Sequence, residues 1–198
     1  MDTVLLIDGE NLKGKIKAVF VDAKKEKLVW HQYDFKRLFD TVLKGTVIQR
    51  RVFYFARIKE HESSKEKSKQ LIEDQRLLKT HLEKQGFEVV LSGRVRAQME
   101  DGQNGRKILV FKEKGVDVKI AVDMVSLVCD KKVKEIILAS SDSDLQPAIL
   151  EVRLRKVSCI YLGFENLPNK GLSYTTSRTI LIRNAEVIAC ESLQQKLV

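Results

Sequence analysis

A chain of 198 residues, 43% hydrophobic and 32% charged, carries enough apolar side chain to bury a core and too much to remain disordered. Its 36 Lys and Arg against 27 Asp and Glu give a net charge of +9, which favours polyanionic partners because each neutralised phosphate releases counterions. No apolar run is long enough to span a bilayer, and the opening MDTVLLIDGE lacks the basic start and apolar length of a signal peptide, so a cytoplasmic protein is expected, without membrane partners.

In chain order, residues 3–7 form a short apolar run of the buried-strand type. Residues 11–21 and 34–43 read as helices, separated by a lysine-rich loop with room for a strand at 28–33. Residues 47–56 are rich in β-branched and aromatic side chains and read as a strand. Residues 63–85 form a long helix, with Leu71, Ile72, Leu78 and Leu82 near one face and Gly86 as its terminator. Residues 87–91 are the next strand. Residues 94–99 and 107–111, joined by Glu-Asp-Gly-Gln-Asn-Gly, have the pattern of a hairpin. Residues 116–129 are helical by period, 135–139 a buried strand, 145–155 a helix with Pro147 in its first turn, and 157–162 a strand. The stretch 173–182 fits helix or strand, and 185–189 reads as a last strand. Strands alternating with helices imply one α/β domain over 1–198, its mainly parallel sheet covered by helices on both faces, with 93–114 as a hairpin insertion.

Cys129, Cys159 and Cys190 are odd in number and far apart, which speaks against a disulfide framework or a zinc site and for small buried hydrophobes. His31, His61 and His81 are scattered through polar segments, and nothing marks them as ligands or bases.

In open parallel sheets ligands bind beyond the carboxyl ends of the strands, so acidic residues placed there stand out. Asp8 directly follows Ile7. Asp142 and Asp144 follow the 135–139 strand, with Ser140 and Ser141 between. Asp117 occupies the first turn of a predicted helix. Each alone is explained by capping or by the helix dipole. Converging together, they would repel unless a cation neutralised them, and ligands that are all oxygen point to Mg²⁺ or Mn²⁺ rather than zinc. Such sites support phosphodiester hydrolysis.

Three segments, Ile7-Asp8-Gly9-Glu10-Asn11-Leu12, Lys114-Gly115-Val116-Asp117-Val118 continuing to Ala121-Val122-Asp123-Met124, and Ser140-Ser141-Asp142-Ser143-Asp144-Leu145, resemble the NYN domain, a branch of the PIN-like ribonucleases, and most closely its LabA-like group. The resemblance implies a three-layer α/β/α sandwich of PIN-like type and a Mg²⁺- or Mn²⁺-dependent nuclease acting on RNA. It makes Asp8, Asp117, Asp142 and Asp144 the metal-binding and catalytic carboxylates. Asn11 then corresponds to the polar neighbour of the first ligand, and Asp123 takes a supporting role. Two positions depart from the family pattern: Ser141 stands where Gly is usual, and Leu145 where an aromatic residue is usual.

On this reading Asn11, Ser140 and Ser141 hydrogen-bond the scissile phosphate or metal-bound water, while Arg94 and Arg96, with Arg106 and Lys107, let the hairpin contact the RNA backbone. The choice between RNA and DNA, between internal and terminal cleavage, and between monomer and homo-oligomer stays open. Two rival readings also stand: an inactive RNA- or protein-binding module of the same fold, and another metal-dependent phosphohydrolase. The second fits less well, since Glu10 occupies the position where a haloacid-dehalogenase pattern wants aspartate, and a Toprim pattern wants glutamate in place of Asp8.

Overall fold

The computed structural model describes residues 1–25, 28–60, 65–101 and 107–191. The chain opens with β1 (Asp2–Asp8), α1 (Gly9–Asp22), a 3₁₀ turn at Trp30–Gln32 and α2 (Phe35–Val42). It continues with β2 (Arg50–Phe55), α3 (Lys65–Lys84), β3 (Glu88–Leu91), the hairpin strands β4 (Arg94–Asp101) and β5 (Lys107–Lys114), and α4 (Val116–Cys129). The last part holds β6 (Val133–Ala139), a 3₁₀ turn at Ser143–Leu145, α5 (Gln146–Leu154), β7 (Ser158–Phe164), α6 (Lys170–Thr175), β8 (Arg178–Ile182) and α7 (Asn184–Ala189).

Six strands pair in parallel in the order β3-β2-β1-β6-β7-β8. Their side chains alternate between two cores, as the two-residue period of a strand requires. Leu5, Ile7, Phe53, Phe55, Ile137, Ile160 and Leu162 face α1, α2, α3 and α7. Val4, Leu6, Val52, Tyr54, Ile136, Leu138 and Cys159 face α4, α5 and α6. This is the expected three-layer sandwich, and the continuous apolar runs of β1 and β6 follow from burial on both faces.

The hairpin is a separate two-stranded antiparallel sheet, with Arg94 opposite Lys114 and Arg96 opposite Lys112. Its root is pinned by the Ser92 amide donating to the Phe55 carbonyl (2.9 Å) and the Val95 amide to Arg57 (3.1 Å). Gly93, at φ +68°, sits where a Cβ would come within 2.1 Å of the Lys114 carbonyl oxygen, so only glycine fits this crossing. Most of the expected hairpin turn, including Arg106, and the expected helix start at residues 63–64 lie outside the described residues.

Three expectations are corrected. Residues 28–33 hold a 3₁₀ turn instead of a strand; Trp30 stacks on Phe35 there, and the Asp34 amide is taken by the Cys190 carbonyl. Residues 185–189 lie in helix α7, because Glu186 accepts the Arg183 amide in a capping box. Cys129 is exposed, whereas Cys159 and Cys190 are buried as anticipated. The ambiguous stretch 173–182 divides into the end of α6 and strand β8, with Thr176 as the helix cap. Among the described residues no helix is long and apolar enough to cross a membrane.

Candidate active site at the carboxyl ends of the central strands

From β1 the chain moves outward to β2 and β3, then returns to β6 on the other side of β1 and moves outward again through β7 and β8. The connections therefore diverge between β1 and β6, and open α/β sheets bind their ligands beyond the carboxyl ends at such a switch point. Asp8 is the last residue of β1, and Ser140 to Asp144 follow β6 directly. Two of the three motifs thus flank the position where an open sheet binds its ligand.

Asp8 is only 8% exposed. One carboxylate oxygen accepts the Asn11 amide at 3.1 Å, capping α1, and the other accepts the Ser140 hydroxyl at 3.2 Å. Burial pushes the Asp8 carboxyl above the ordinary aspartate range; the charges of Asp142 and Glu10 add to this, while the two hydrogen bonds oppose it. A buried carboxylate that feels two further negative charges is a natural seat for a cation. Immediately after it, a Cβ on Gly9 would meet the Phe55 ring at 2.1 Å, so glycine is what lets β1 turn into α1 against β2.

The loop after β6 is fixed from three sides. The Ser141 amide donates to Asn11 Oδ1 (3.0 Å), and its carbonyl accepts Asn169 Nδ2 (3.0 Å). Its hydroxyl meets the Tyr161 hydroxyl at 3.2 Å. Tyr161, fully buried in β7, also accepts the Asn169 amide at 3.1 Å, and Asn169 in turn caps α6 by accepting the Leu172 amide. The Ser140 hydroxyl accepts the Asp142 amide (3.2 Å), and Asp142 Oδ1 accepts the Asp144 amide (2.9 Å). Ser141 is not among the residues of positive φ, so serine sits here without backbone strain, and its hydroxyl is taken up by Tyr161.

The structure thus couples Asp8 to Asp142 by charge and Asp142 to Asp144 by a backbone hydrogen bond, with the Asp144 side chain exposed. Asp117 sits half-buried in the first turn of α4, a helix that packs against the Ser143–Leu145 turn. Among the described residues no hydrogen bond or ion pair joins Asp117 to the other three aspartates. Asn11 and Ser140 spend side-chain groups on holding Asp8, Ser141 and Asp142 in place. Arg94 is exposed at the start of β4; the Arg96 side chain lies outside the described groups. Asp123 accepts the Tyr54 hydroxyl (2.9 Å) and pairs with Lys119 (2.6 Å), as befits a supporting role.

Sequence reasoning missed several neighbours. Glu113 of β5 accepts the Ala56 amide at 2.8 Å. Burial pushes its carboxyl up to about 7, against that hydrogen bond and with the charges of Glu10 and Asp8 adding. Glu10 pairs with Lys13 (2.6 Å), whose ammonium lies 5.4 Å from the Trp30 ring and 5.9 Å from the Phe55 ring. Tyr161 carried a signal in principle, since a tyrosine in an apolar strand needs a partner for its hydroxyl.

Among the described residues no three His, Cys, Asp or Glu side chains stand together as a ready-made metal cage. The donor chemistry nevertheless fits a hard divalent ion: Asp8 and Asp142 offer only oxygen. Mg²⁺ commonly binds through one or two carboxylates, retaining waters and taking phosphate oxygens from the substrate.

The chain resembles a crystal structure of a Vibrio parahaemolyticus protein of unknown function, at TM-score 0.58 and 17% identity, covering 91% of this chain and 93% of that one; this likeness shows the fold. No curated protein matches. The NYN domain model matches residues 2–183, containing all three motifs, although it does not extend to the LabA-like group. With nearly the whole chain inside that match, and the α/β/α sandwich in place, this protein belongs to the NYN domain family, a branch of the PIN-like superfamily composed largely of nucleases.

Proposed function

We propose that this chain is a metal-dependent ribonuclease that hydrolyses RNA phosphodiester bonds beyond the carboxyl ends of β1 and β6. The observation that carries the reading is Asp8: a buried carboxylate at the topological switch point, bonded to Ser140 and within the field of Asp142. Asp8 and Asp142 would hold Mg²⁺ or Mn²⁺, with Asp117 and Asp144 as further carboxylates around it. Such an ion, when bound, activates water and neutralises charge on the phosphate. The chain's own contribution is positioning. Asn11 and Ser140 lock the two aspartate-bearing loops to each other, and Asn169 and Tyr161 hold Ser141, one residue before Asp142. The net charge of +9 and the Arg94 and Arg96 strand of the hairpin supply attraction for the phosphate backbone.

Incubation of the purified protein with labelled single-stranded RNA and DNA, with Mn²⁺, Mg²⁺ or chelator, tests the proposal. Cleavage of RNA that needs the ion and is lost in Asp8→Asn and Asp142→Asn is expected; full metal-dependent activity in Asp142→Asn overturns the assignment. The absence of a ready-made three-ligand cage among the described residues favours one rival, an inactive RNA- or protein-binding module. That reading predicts no calorimetric Mn²⁺ binding alongside tight, salt-dependent RNA binding.

A further inference from the structure

The β4–β5 hairpin meets the site end of the sheet through its root, where Val95 packs on the core beneath the sheet and the Glu113 side chain reaches the end of β2. Glu113 lies opposite Val95 in the hairpin register, and its carboxylate accepts the amide of Ala56. Ala56 is fully buried and directly follows β2, whose Tyr54 is the register partner of Asp8. Its carbonyl accepts Gln75 Nε2 of α3 at 2.8 Å, so the segment after β2 is gripped by α3 on one side and by the hairpin on the other. The Val95 amide bonded to Arg57 and the tight Gly93–Lys114 crossing complete the root. The strand that bears Glu113 runs through Gly115, at φ +86°, straight into α4 and Asp117.

We propose that Glu113 is the positioning residue that locks the hairpin to the carboxylate end of the sheet, so that RNA held at the basic root of the hairpin, where Arg94, Lys112 and Lys114 are exposed, is presented to Asp8 and Asp142. This rests on the ribonuclease reading above and adds to it a mechanical role for the insertion.

The test compares Glu113→Ala, Glu113→Gln and Asp8→Asn in the full chain by amide hydrogen exchange, RNA binding and cleavage kinetics. Glu113→Ala is expected to speed exchange at Ala56 and Val95 and to raise KM about fivefold, the worth of one ordinary hydrogen bond, with kcat much less affected. Glu113→Gln keeps an acceptor and should recover most of both effects. Asp8→Asn should lose turnover while keeping the exchange pattern and RNA affinity. Unchanged exchange and KM in Glu113→Ala, or a Glu113→Gln as impaired as Glu113→Ala, overturns the proposal. Should Glu113→Ala fail to fold, Glu113→Asp takes its place, since one methylene less withdraws the carboxylate from Ala56. Should the wild type cut no RNA, the ribonuclease reading falls, while exchange and RNA affinity still decide whether Glu113 fixes the hairpin.

Discussion

Tyr161→Phe removes a single oxygen that serves two partners. In the wild type that oxygen accepts the Asn169 amide at 3.1 Å and meets the Ser141 hydroxyl at 3.2 Å, in a side chain with no solvent exposure. Phenylalanine fills the same space, so no cavity term enters, and the cost is that of a polar group left unpaired. A fully buried unsatisfied amide costs about 1–3 kcal/mol, but Asn169 and Ser141 are both half-buried, so water meets part of that cost and the low end of the range applies. A loss near 1 kcal/mol corresponds to a fall in Tm of about 2–4 °C for a domain of this size. Since Ser141 directly precedes Asp142, kcat should fall further than this loss of stability explains at the assay temperature. Thermal melts and cleavage rates of Tyr161→Phe, Ser141→Ala and the double variant form the assay. The two residues are in contact, so the cycle should show a coupling of about 0.5–1.5 kcal/mol. A Tyr161→Phe that melts within about a degree of wild type, or a cycle that is additive within about 0.3 kcal/mol, refutes the clamp.

Other perturbations probe the site from different directions. Asp8→Asn and Asp142→Asn should abolish metal-dependent cleavage, yet metal-free Asp8→Asn should melt no lower than wild type. Asparagine caps a helix as well as aspartate does and escapes the penalty of burying a charge, so a fall in Tm would contradict the environment assigned to Asp8. Gly9→Ala should cost about 1–3 kcal/mol by overpacking, because the new methyl would lie 2.1 Å from the Phe55 ring, and melting with and without cleavage assays checks it. With pH, the raised carboxyls of Glu113 and Asp8 set the sign. The unfolded chain releases the Glu113 proton near 4.5 and the folded chain holds it to about 7. Between those values the folded state binds more protons, and metal-free stability should fall as pH rises. Melts across that window should show the decline, and Glu113→Gln should flatten it; an unchanged slope in the variant removes Glu113 as its source.

The sheet was legible because its strands advertise burial. Val4 to Ile7 and Ile136 to Ala139 are continuous apolar runs that only a two-faced core explains, and the polar residues after them, Asp8 and then Ser140 to Asp144, mark the strand ends. Pro147 placed the start of α5 correctly. Short elements were not legible. Asn184–Ala189 is six residues with alternating apolar character, too short for its period to separate helix from strand; what decides is the Glu186 capping bond. At residues 28–33 the aromatic residues pack by stacking and the segment finds no strand partner.

The site was half legible for a related reason. A parallel sheet of this order brings Asp8 and Asp142 together through strand adjacency alone, because β1 and β6 are neighbours and both end at the same rim. Local pattern plus topology is therefore enough to place these two side by side at the rim. Glu113 is different in kind. It lies between Lys112 and Lys114, where the charge pattern reads as a solvated strand, and only the folding-back of the hairpin root onto Ala56 gives it a partner and a half-buried setting. Asn169 similarly follows Pro168 in a loop and looks like an ordinary helix cap until its other side-chain atom is seen to hold Ser141. Residues that supply charge at strand ends can be read from sequence, whereas residues that aim those charges act across contacts that sequence spacing does not encode. The two kinds of residue therefore call for different tests: the aspartate variants and Mn²⁺ titration separate an active nuclease from an inert relative, whereas variants at Tyr161 and Glu113 probe how the rim around Asp8 and Asp142 is held.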